Sequence, residues 1–202
     1  MLQAPLISEL EDTMNSRNHL TMAMAALCLF LPISHAMAQT SPQVKSAAVV
    51  DVGSNMLDPK SVAEGLFPED ACEQLKAAGF KCMGFRPAVR YSLPTTNFRL
   101  GSVDLPEGLK SQLEVFAEVL RGKRGSSKVV RIEGHADASG SAEANLVLSQ
   151  KRAEEVKRFL VERGADPAML RPEGHGSAEL RNARDPMSQE NRRVEIGRAD
   201  IQ

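Results

Sequence analysis

Hydrophobic residues recur at two different spacings in the second half of the chain. Four of them fall on one face of a predicted helix that ends at Gly122, namely Leu109, Leu113, Phe116 and Leu120. The spacing then changes to alternation, so "KVVRIEG", residues 128–134, is predicted to form a strand. The alternation gives this strand inward-facing Val130 and Ile132 and outward-facing Arg131 and Glu133.

The same two spacings return further along the chain. A second helix is predicted from about Asn145 to Arg163, with Gly164 ending it. The residues that this pattern directs to the core are Leu146, Ser149, Ala153, Val156 and Leu160. A short strand or turn at 169–176 comes next, and "NRRVEIG" at 191–197 closes the pattern as a strand with alternating Val194 and Ile196.

An extended stretch precedes the first of these helices. "VRYSLPTTNFRLGS", residues 89–102, is interrupted by Pro94, which suits an edge strand or the start of a strand. The order from residue 86 to 198 is therefore strand, helix, strand, helix, strand, strand. This order predicts an α+β domain, a two-layer sandwich with its helices packed on one face of a mixed sheet.

A short helical segment is expected in front of that domain, at 58–85. Asp58 suits a helix cap and Pro59 the first helical position, while Gly79 ends a second short helix. The segment has too few apolar residues to fold alone, so it packs on the α+β domain or serves as a linker. Residues 39–57 are predicted to be a flexible leader that contains a short strand at 47–52.

The N-terminus has the pattern of a secretory signal. Residues 20–33 form an apolar run of 14 residues after Arg17, too short to span a bilayer as a helix. The small-x-small pattern that ends at Ala38 predicts a signal peptide at 1–38. The acidic residues near the start fit such a signal poorly, so translation is expected to begin at Met14.

Cysteine usage is consistent with export. Cleavage of the signal removes Cys28 and leaves Cys72 and Cys82, an even pair in an exported protein. Such a pair is expected to form a disulfide, and a two-cysteine metal site is a weaker alternative because no histidine lies near in sequence.

Composition excludes one large class of function. The formal net charge is −1, aromatic residues make up 4% and Trp is missing. Nucleic-acid binding by phosphate contacts or base stacking is therefore not expected.

One loop carries the candidate chemistry. "GHADASGSAEANLVLSQKRA", residues 134–153, places Asp137 in a Gly, Ser and Ala-rich loop and Arg152 in the following helix, 15 positions later. Asn145 and Arg152 are two helical turns apart and share a face, with Leu148 between them. The residues alone leave three interpretations open: a catalytic site, an internal salt bridge, or a receptor for a zwitterion.

Four separated blocks resemble one known family. "IEGHADASG", "NLVLSQKRAEEVKRFLVERG", "LRPEGHGSAEL" and "ENRRVEI" are similar to the OmpA-like C-terminal domain of Gram-negative bacteria, over roughly 93–197. The resemblance implies non-covalent binding of peptidoglycan through the diaminopimelate of its stem peptide. It assigns the ligand to Asp137 and Arg152, and matches family positions to Asn145 and Arg193. The chain departs from the family at Ala136 and His175.

The resemblance also implies where the protein works and with what. We expect a periplasmic binding protein, not an enzyme and without a cofactor, that is tethered to the cell wall near the outer membrane. The segment 58–85 is the candidate surface for an envelope protein or for a homodimer. Arg193 is expected to reach the ligand carboxylate or to brace Asp137, with Glu195 as its structural partner.

An enzymatic alternative uses the same region. His135, Asp137 and His175 are potential ligands of a catalytic metal, and a cell-wall amidase or peptidase would act on the same polymer. The serines of the loop lack the strand-turn-helix setting of a nucleophile.

Overall fold

The computed structural model describes residues 48–53, 55, 57–83, 87–94, 98 and 101–199. The predicted signal peptide and most of the predicted leader lie outside these residues. Within the described part of the chain, no helix has the length and apolar character needed to cross a membrane.

Five strands form one mixed sheet. They are β1 (Val49–Asp51), β2 (Arg90–Pro94), β3 (Val130–His135), β4 (Leu170–Gly176) and β5 (Arg193–Arg198). The strand order is β1-β2-β5-β3-β4. The last strand, β5, lies in the centre and runs antiparallel to both β2 and β3, whereas β4 pairs parallel with β3. The short strand expected at 47–52 is present as β1, which pairs parallel with β2.

Within the described residues, four α-helices accompany the sheet. They are α1 (Pro59–Leu66), α2 (Glu69–Ala77), α3 (Glu107–Arg121) and α4 (Ala142–Glu162). From β2 onward, the predicted order of strand, helix, strand, helix, strand, strand is confirmed, as is the α+β class. Asp58 caps α1 as predicted, because its Oδ1 accepts a hydrogen bond of 2.9 Å from the Ser61 amide.

The core lies between the sheet and the helices. The four apolar residues predicted for one face of α3 are all buried, and Val130 and Ile132 of β3 are fully enclosed. The same core includes Val62 and Leu66 of α1. Because α1 contributes to this core, the described part of the predicted helical segment, residues 58–83, packs on the domain and is not a free linker.

Polar contacts hold the helical segment in place. The Tyr91 hydroxyl donates to the Ser61 carbonyl at 2.8 Å, and Arg198 pairs with Glu69 at 2.6 Å. Cys72 and Cys82 form the expected disulfide, with Cα atoms 5.4 Å apart, and it joins α2 to the chain just after the helix.

The prediction of which α4 residues face the core is wrong in the first turn of the helix. The helix begins at Ala142, after the cap residue Ser141, and Leu146 is 50% exposed instead of buried. Asn145 takes the inward position. There its Nδ2 donates to the Asp137 carbonyl at 3.0 Å, next to the close approach of α4 to Gly176 at the end of β4.

Glu133 faces outward as predicted, but it is not exposed to solvent. Glu133 does lie on the sheet face opposite the helices, but its exposed fraction is only 3%. Arg90 Nη1 lies 3.2 Å from a carboxylate oxygen of Glu133 and 3.2 Å from one of Glu195, so a network of charged side chains covers this face. Burial raises the pKa of Glu133, and the charges of Arg90 and Arg131 oppose the rise.

Two glycines set the distance between α4 and the sheet. A Cβ on Gly134 would collide with the Ser149 carbonyl, and a Cβ on Gly174 would collide with the backbone of Gln150. Neither obstacle is a flexible side chain, so the helix backbone lies directly on β3 and β4 only because these positions lack a side chain.

We predict that Gly174→Ala destabilises the protein by about 1–3 kcal/mol, the usual range for forcing an atom into packed structure. Urea unfolding followed by circular dichroism measures the change. Gly108→Ala is the matched control, since its added Cβ meets nothing within 4 Å in α3. The control is expected to be neutral or slightly stabilising because alanine favours helix. Equal stability of the two variants would contradict the close approach of α4.

Candidate functional site

The loop between β3 and α4 is fixed by hydrogen bonds at several points. The Ala136 amide donates to the Gly176 carbonyl at 2.7 Å, and the Ala138 amide donates to the Pro186 carbonyl at 2.9 Å. Asn145 Nδ2 reaches back from α4 to the Asp137 carbonyl at 3.0 Å. The backbone around Asp137 is therefore held in place by the end of β4, by the loop that contains Pro186 and by α4.

Asp137 is buried and ionised. Its exposed fraction is 5%. One carboxylate oxygen accepts hydrogen bonds from the Ser139 amide and hydroxyl, and the other lies 2.6 Å from Arg192 Nη1. Burial works against the charge, but the bonds from Ser139 and the pairing with Arg192 outweigh it, so the pKa of Asp137 lies below its usual value.

Arg152 is buried without an acidic partner. Its exposed fraction is 3%. Its Nε donates to the Ser102 carbonyl at 3.1 Å, and its guanidinium lies 4.4 Å from the centroid of the Phe98 ring. Among the described residues, no carboxylate forms an ion pair with it. Burial and the nearby charge of Arg192 lower the pKa of Arg152, while Asp137 opposes them.

This arrangement favours the binding of an anion. A buried guanidinium remains charged, and a buried charge without a counterion is unfavourable unless a ligand supplies one. The internal salt bridge that the sequence left open is not formed by Asp137 and Arg152, because Asp137 is paired with Arg192 instead. Arg152, without an acidic partner among the described residues, thus lies close enough to the Arg192-paired carboxylate of Asp137 to interact with it electrostatically.

The residue that braces Asp137 is Arg192, and the expectation that Arg193 does so is wrong. Arg193 Nε pairs with Glu195 at 2.6 Å, as expected for its structural partner, and its Nη1 donates to the Glu179 carbonyl at 3.2 Å. Arg193 opens β5, so strand alternation places it on the helix-free face with Glu195. Arg192 precedes the strand and points towards the loop. The two adjacent arginines were the only feature of the sequence that pointed to Arg192 as a partner of Asp137.

The two remaining predicted site residues lie on α4. Asn145 is 5% exposed and holds the loop through the bond described above. Leu148 is half-buried, between Asn145 and Arg152 along the helix. The spacing of seven residues therefore brings Asn145 and Arg152 to the same side of the helix, as predicted.

The metal set considered from the sequence is not brought together. His135 and His175 stack with ring centroids 5.0 Å apart, but Asp137 belongs to neither group of potential ligands that the described residues form. Those groups combine Glu133 with Glu173 and His175, or with His135 and Glu195. Arginines already pair with the carboxylates of Glu133 and Glu195, which disfavours an added cation there.

Comparison with known proteins finds similarity to one family. Residues 97–193 match the OmpA family, within the span on which the resemblance rested. The peptidoglycan-associated lipoprotein of Pseudomonas aeruginosa is 37% identical over 108 residues, which cover 52% of this chain and 62% of that protein. That of Pseudomonas putida is 36% identical over 108 residues, covering 52% and 63%. The match thus spans less than two thirds of these curated relatives.

Two solved structures also align with about half of this chain. The crystal structure of the peptidoglycan-associated lipoprotein from Burkholderia pseudomallei aligns with a TM-score of 0.46 and 26% identity, over 53% of this chain and 88% of that one. The OmpA-like domain of FopA1 from Francisella tularensis aligns with a TM-score of 0.46 and 21% identity, over 53% and 69%.

The buried His135 gives the domain a pH-dependent stability. Burial, with a further contribution from the charge of Arg193, lowers the pKa of His135 to about 3. The unfolded chain binds this proton near pH 6.5 and the folded chain does not, so His135 destabilises the fold as pH falls from about 6.5 to about 3. The expected slope of one proton is about 1.4 kcal/mol per pH unit.

Urea unfolding at pH 7, 6, 5 and 4 measures this slope. His135→Leu removes the titrating ring. Its free energy of unfolding should therefore fall less steeply towards pH 4 than that of the wild type, by about 1.4 kcal/mol per pH unit. Measurements at pH 7 confirm first that the variant is folded. Identical pH profiles for the two proteins would show that His135 is not held neutral.

Proposed function

Because residues 97–193 match the OmpA family, we propose that the chain binds peptidoglycan non-covalently and is thereby tethered to the cell wall. The names of the two Pseudomonas relatives support this assignment. The observation that carries it is the buried guanidinium of Arg152, which has no acidic partner among the described residues and lies near the ionised Asp137.

The ligand proposed for this pair is the free amino acid head of diaminopimelate. That head carries an ammonium and a carboxylate on one carbon, so its receptor needs an acid and a base close together. Asp137 accepts hydrogen bonds from the ammonium, and Arg152 donates two to the carboxylate. The lowered pKa of Asp137 keeps the acceptor ionised at neutral pH.

Arg192 is the partner of Asp137 before the ligand arrives. With Arg152 and Arg192 against Asp137, the site carries one more positive than negative charge. The ligand ammonium takes over a position of Arg192 at Asp137, while its carboxylate supplies the negative charge that the site lacks. A zwitterion therefore suits the site better than a simple cation, which Arg152 and Arg192 would repel.

The other predicted site residues have supporting roles in this proposal. Asn145 holds the loop that carries Asp137, and Leu148 provides an apolar surface beside it. Arg193 acts at a distance, because its hydrogen bonds to the Glu179 and Asn191 carbonyls secure the loop that precedes β5.

The location and the further partners are inferred from the same assignment. We place the protein in the periplasm, exported by the signal at 1–38 and attached to the wall close to the outer membrane. The segment 58–85 exposes Leu75, Phe80 and Met83 and is the proposed contact with an envelope protein. Binding, and not catalysis, is the proposed activity.

The test is co-sedimentation of the purified protein with peptidoglycan of the diaminopimelate type. Asp137→Asn and Arg152→Gln should each weaken binding by roughly 10- to 100-fold, since each removes hydrogen bonds to a charged group worth about 1.5–3 kcal/mol. Arg158→Gln is the matched control, because Arg158 lies on the same helix in exposed ion pairs with Glu155 and Glu162. Circular dichroism verifies that all three variants are folded.

Two results would contradict the proposal. One is unchanged pelleting of both site variants, and the other is equal binding to lysine-type peptidoglycan, which lacks the second amino acid head. Zymography on the same material tests the enzymatic alternative, in which cleared bands would appear.

A further inference from the structure

Two contacts hold the guanidinium of Arg152, and a third contact orders the carbonyl that takes part in one of them. We infer that Phe98 and the Ser102 carbonyl act as positioning groups that leave the Nη1 and Nη2 hydrogens of Arg152 for the ligand, so that the site selects diaminopimelate with a free carboxylate over its amidated form. This inference rests on the proposed function and specifies the ligand of the same site.

The first two contacts occupy one face and one edge of the guanidinium. The Phe98 ring is 8% exposed and lies 4.4 Å from the guanidinium carbon, which fixes the plane of the cation. The Ser102 carbonyl oxygen accepts a hydrogen bond from Arg152 Nε at 3.1 Å, which fixes the rotation of the guanidinium within that plane. A flexible side chain is thus held in one orientation before any ligand binds.

The third contact stabilises the carbonyl itself. The Ser102 hydroxyl donates to Asp104 Oδ2 at 3.0 Å and accepts from the Asp104 amide at 3.0 Å. These two bonds close a small turn around Ser102, so the acceptor of Arg152 Nε belongs to an ordered segment.

The terminal nitrogens remain for the ligand. Within the described part of the chain, Nη1 and Nη2 of Arg152 have no hydrogen-bond acceptor, and neither is among the polar atoms sealed from solvent without a partner. Because Nε is already used, the ligand must approach end-on, with both of its contact atoms in the guanidinium plane. Two parallel N–H groups then require two acceptors.

A carboxylate and a carboxamide differ in this requirement. A carboxylate offers two acceptor oxygens and a negative charge. A carboxamide offers one acceptor and one NH₂ group, whose hydrogens would face an N–H of Arg152. An unmade hydrogen bond in a site where Arg152 is only 3% exposed leaves a polar group unsatisfied, and the charge of Arg152 stays uncompensated. Amidation should therefore weaken binding strongly.

A calorimetric comparison of two soluble ligands tests the inference. The ligands are a stem tripeptide that ends in meso-diaminopimelate and the same peptide amidated at the carboxylate of its free amino acid head. The wild-type protein should bind the free acid at least 10-fold more tightly, which corresponds to about 1.4 kcal/mol. Phe98→Leu should reduce this preference several-fold, chiefly by weakening binding of the free acid, and Phe98→Tyr, which keeps an aromatic face, should restore it.

The control is a second arginine–phenylalanine contact in the same protein. Arg163 lies 4.2 Å from the Phe159 ring, and Phe159→Leu removes a similar buried ring from the core. This variant should lose stability but keep the ligand preference. In the Arg152→Gln background, Phe98→Leu should have no further effect on binding, because the group that it positions is gone.

The outcomes separate this inference from the proposed function. Equal affinity of the wild type for both peptides, or an equal loss for both in Phe98→Leu, would overturn the inference while leaving peptidoglycan binding in place. If the wild type binds neither peptide, or if Arg152→Gln binds both as the wild type does, the proposed function itself is wrong.

Discussion

The burial of one unpaired guanidinium is the constraint on which the site depends. Arg152 is almost fully covered, yet among the described residues it has only a carbonyl, an aromatic face and a nearby but unbonded carboxylate. Such a charge is tolerated in the folded protein because the surrounding core supplies the stability that it does not. The site therefore contains a charge without an acidic partner among the described residues, which the carboxylate of the proposed ligand would supply.

The geometry around Arg152 depends on how closely α4 approaches the sheet. Gly134 and Gly174 allow the helix backbone to lie on β3 and β4, and Asn145 then reaches the loop that leaves β3. A more distant helix would carry Arg152 away from Asp137. Packing between backbone atoms thus determines the separation of the two charges, and the segment with Phe98 and Ser102 determines the orientation of the guanidinium.

Much of this architecture could be predicted from the sequence, because it rests on local patterns. The apolar spacing of α3, the alternation of β3 and β5, the cap at Asp58 and the cysteine pair each encode their own structure. The burial of Glu133 could not be predicted, because it results from Arg90, which is distant in the chain. The prediction that Leu146 is buried failed for a similar reason, since the orientation of α4 depends on the glycines of β3 and β4 that face it.

The candidate site shows the same division. Asp137 and Arg152 were found from their residue types, their spacing and the family resemblance. Arg192 was missed because two adjacent arginines look alike in sequence, and only the start of β5 decides which one turns towards the loop. Phe98 and Ser102 were also missed. The sequence predicts only that 89–102 is extended, and nothing in this pattern indicates a contact with Arg152.

The most direct test of ligand capture by the buried guanidinium observes Arg152 itself. Nuclear magnetic resonance of the arginine side chains, recorded while a diaminopimelate tripeptide is added, reports the terminal N–H groups separately from Nε. We predict that the Nη resonances of Arg152 shift saturably and exchange more slowly with water, while those of Arg163 do not change. Saturable binding of the peptide with the Arg152 resonances unaltered would contradict a direct contact between this guanidinium and the ligand.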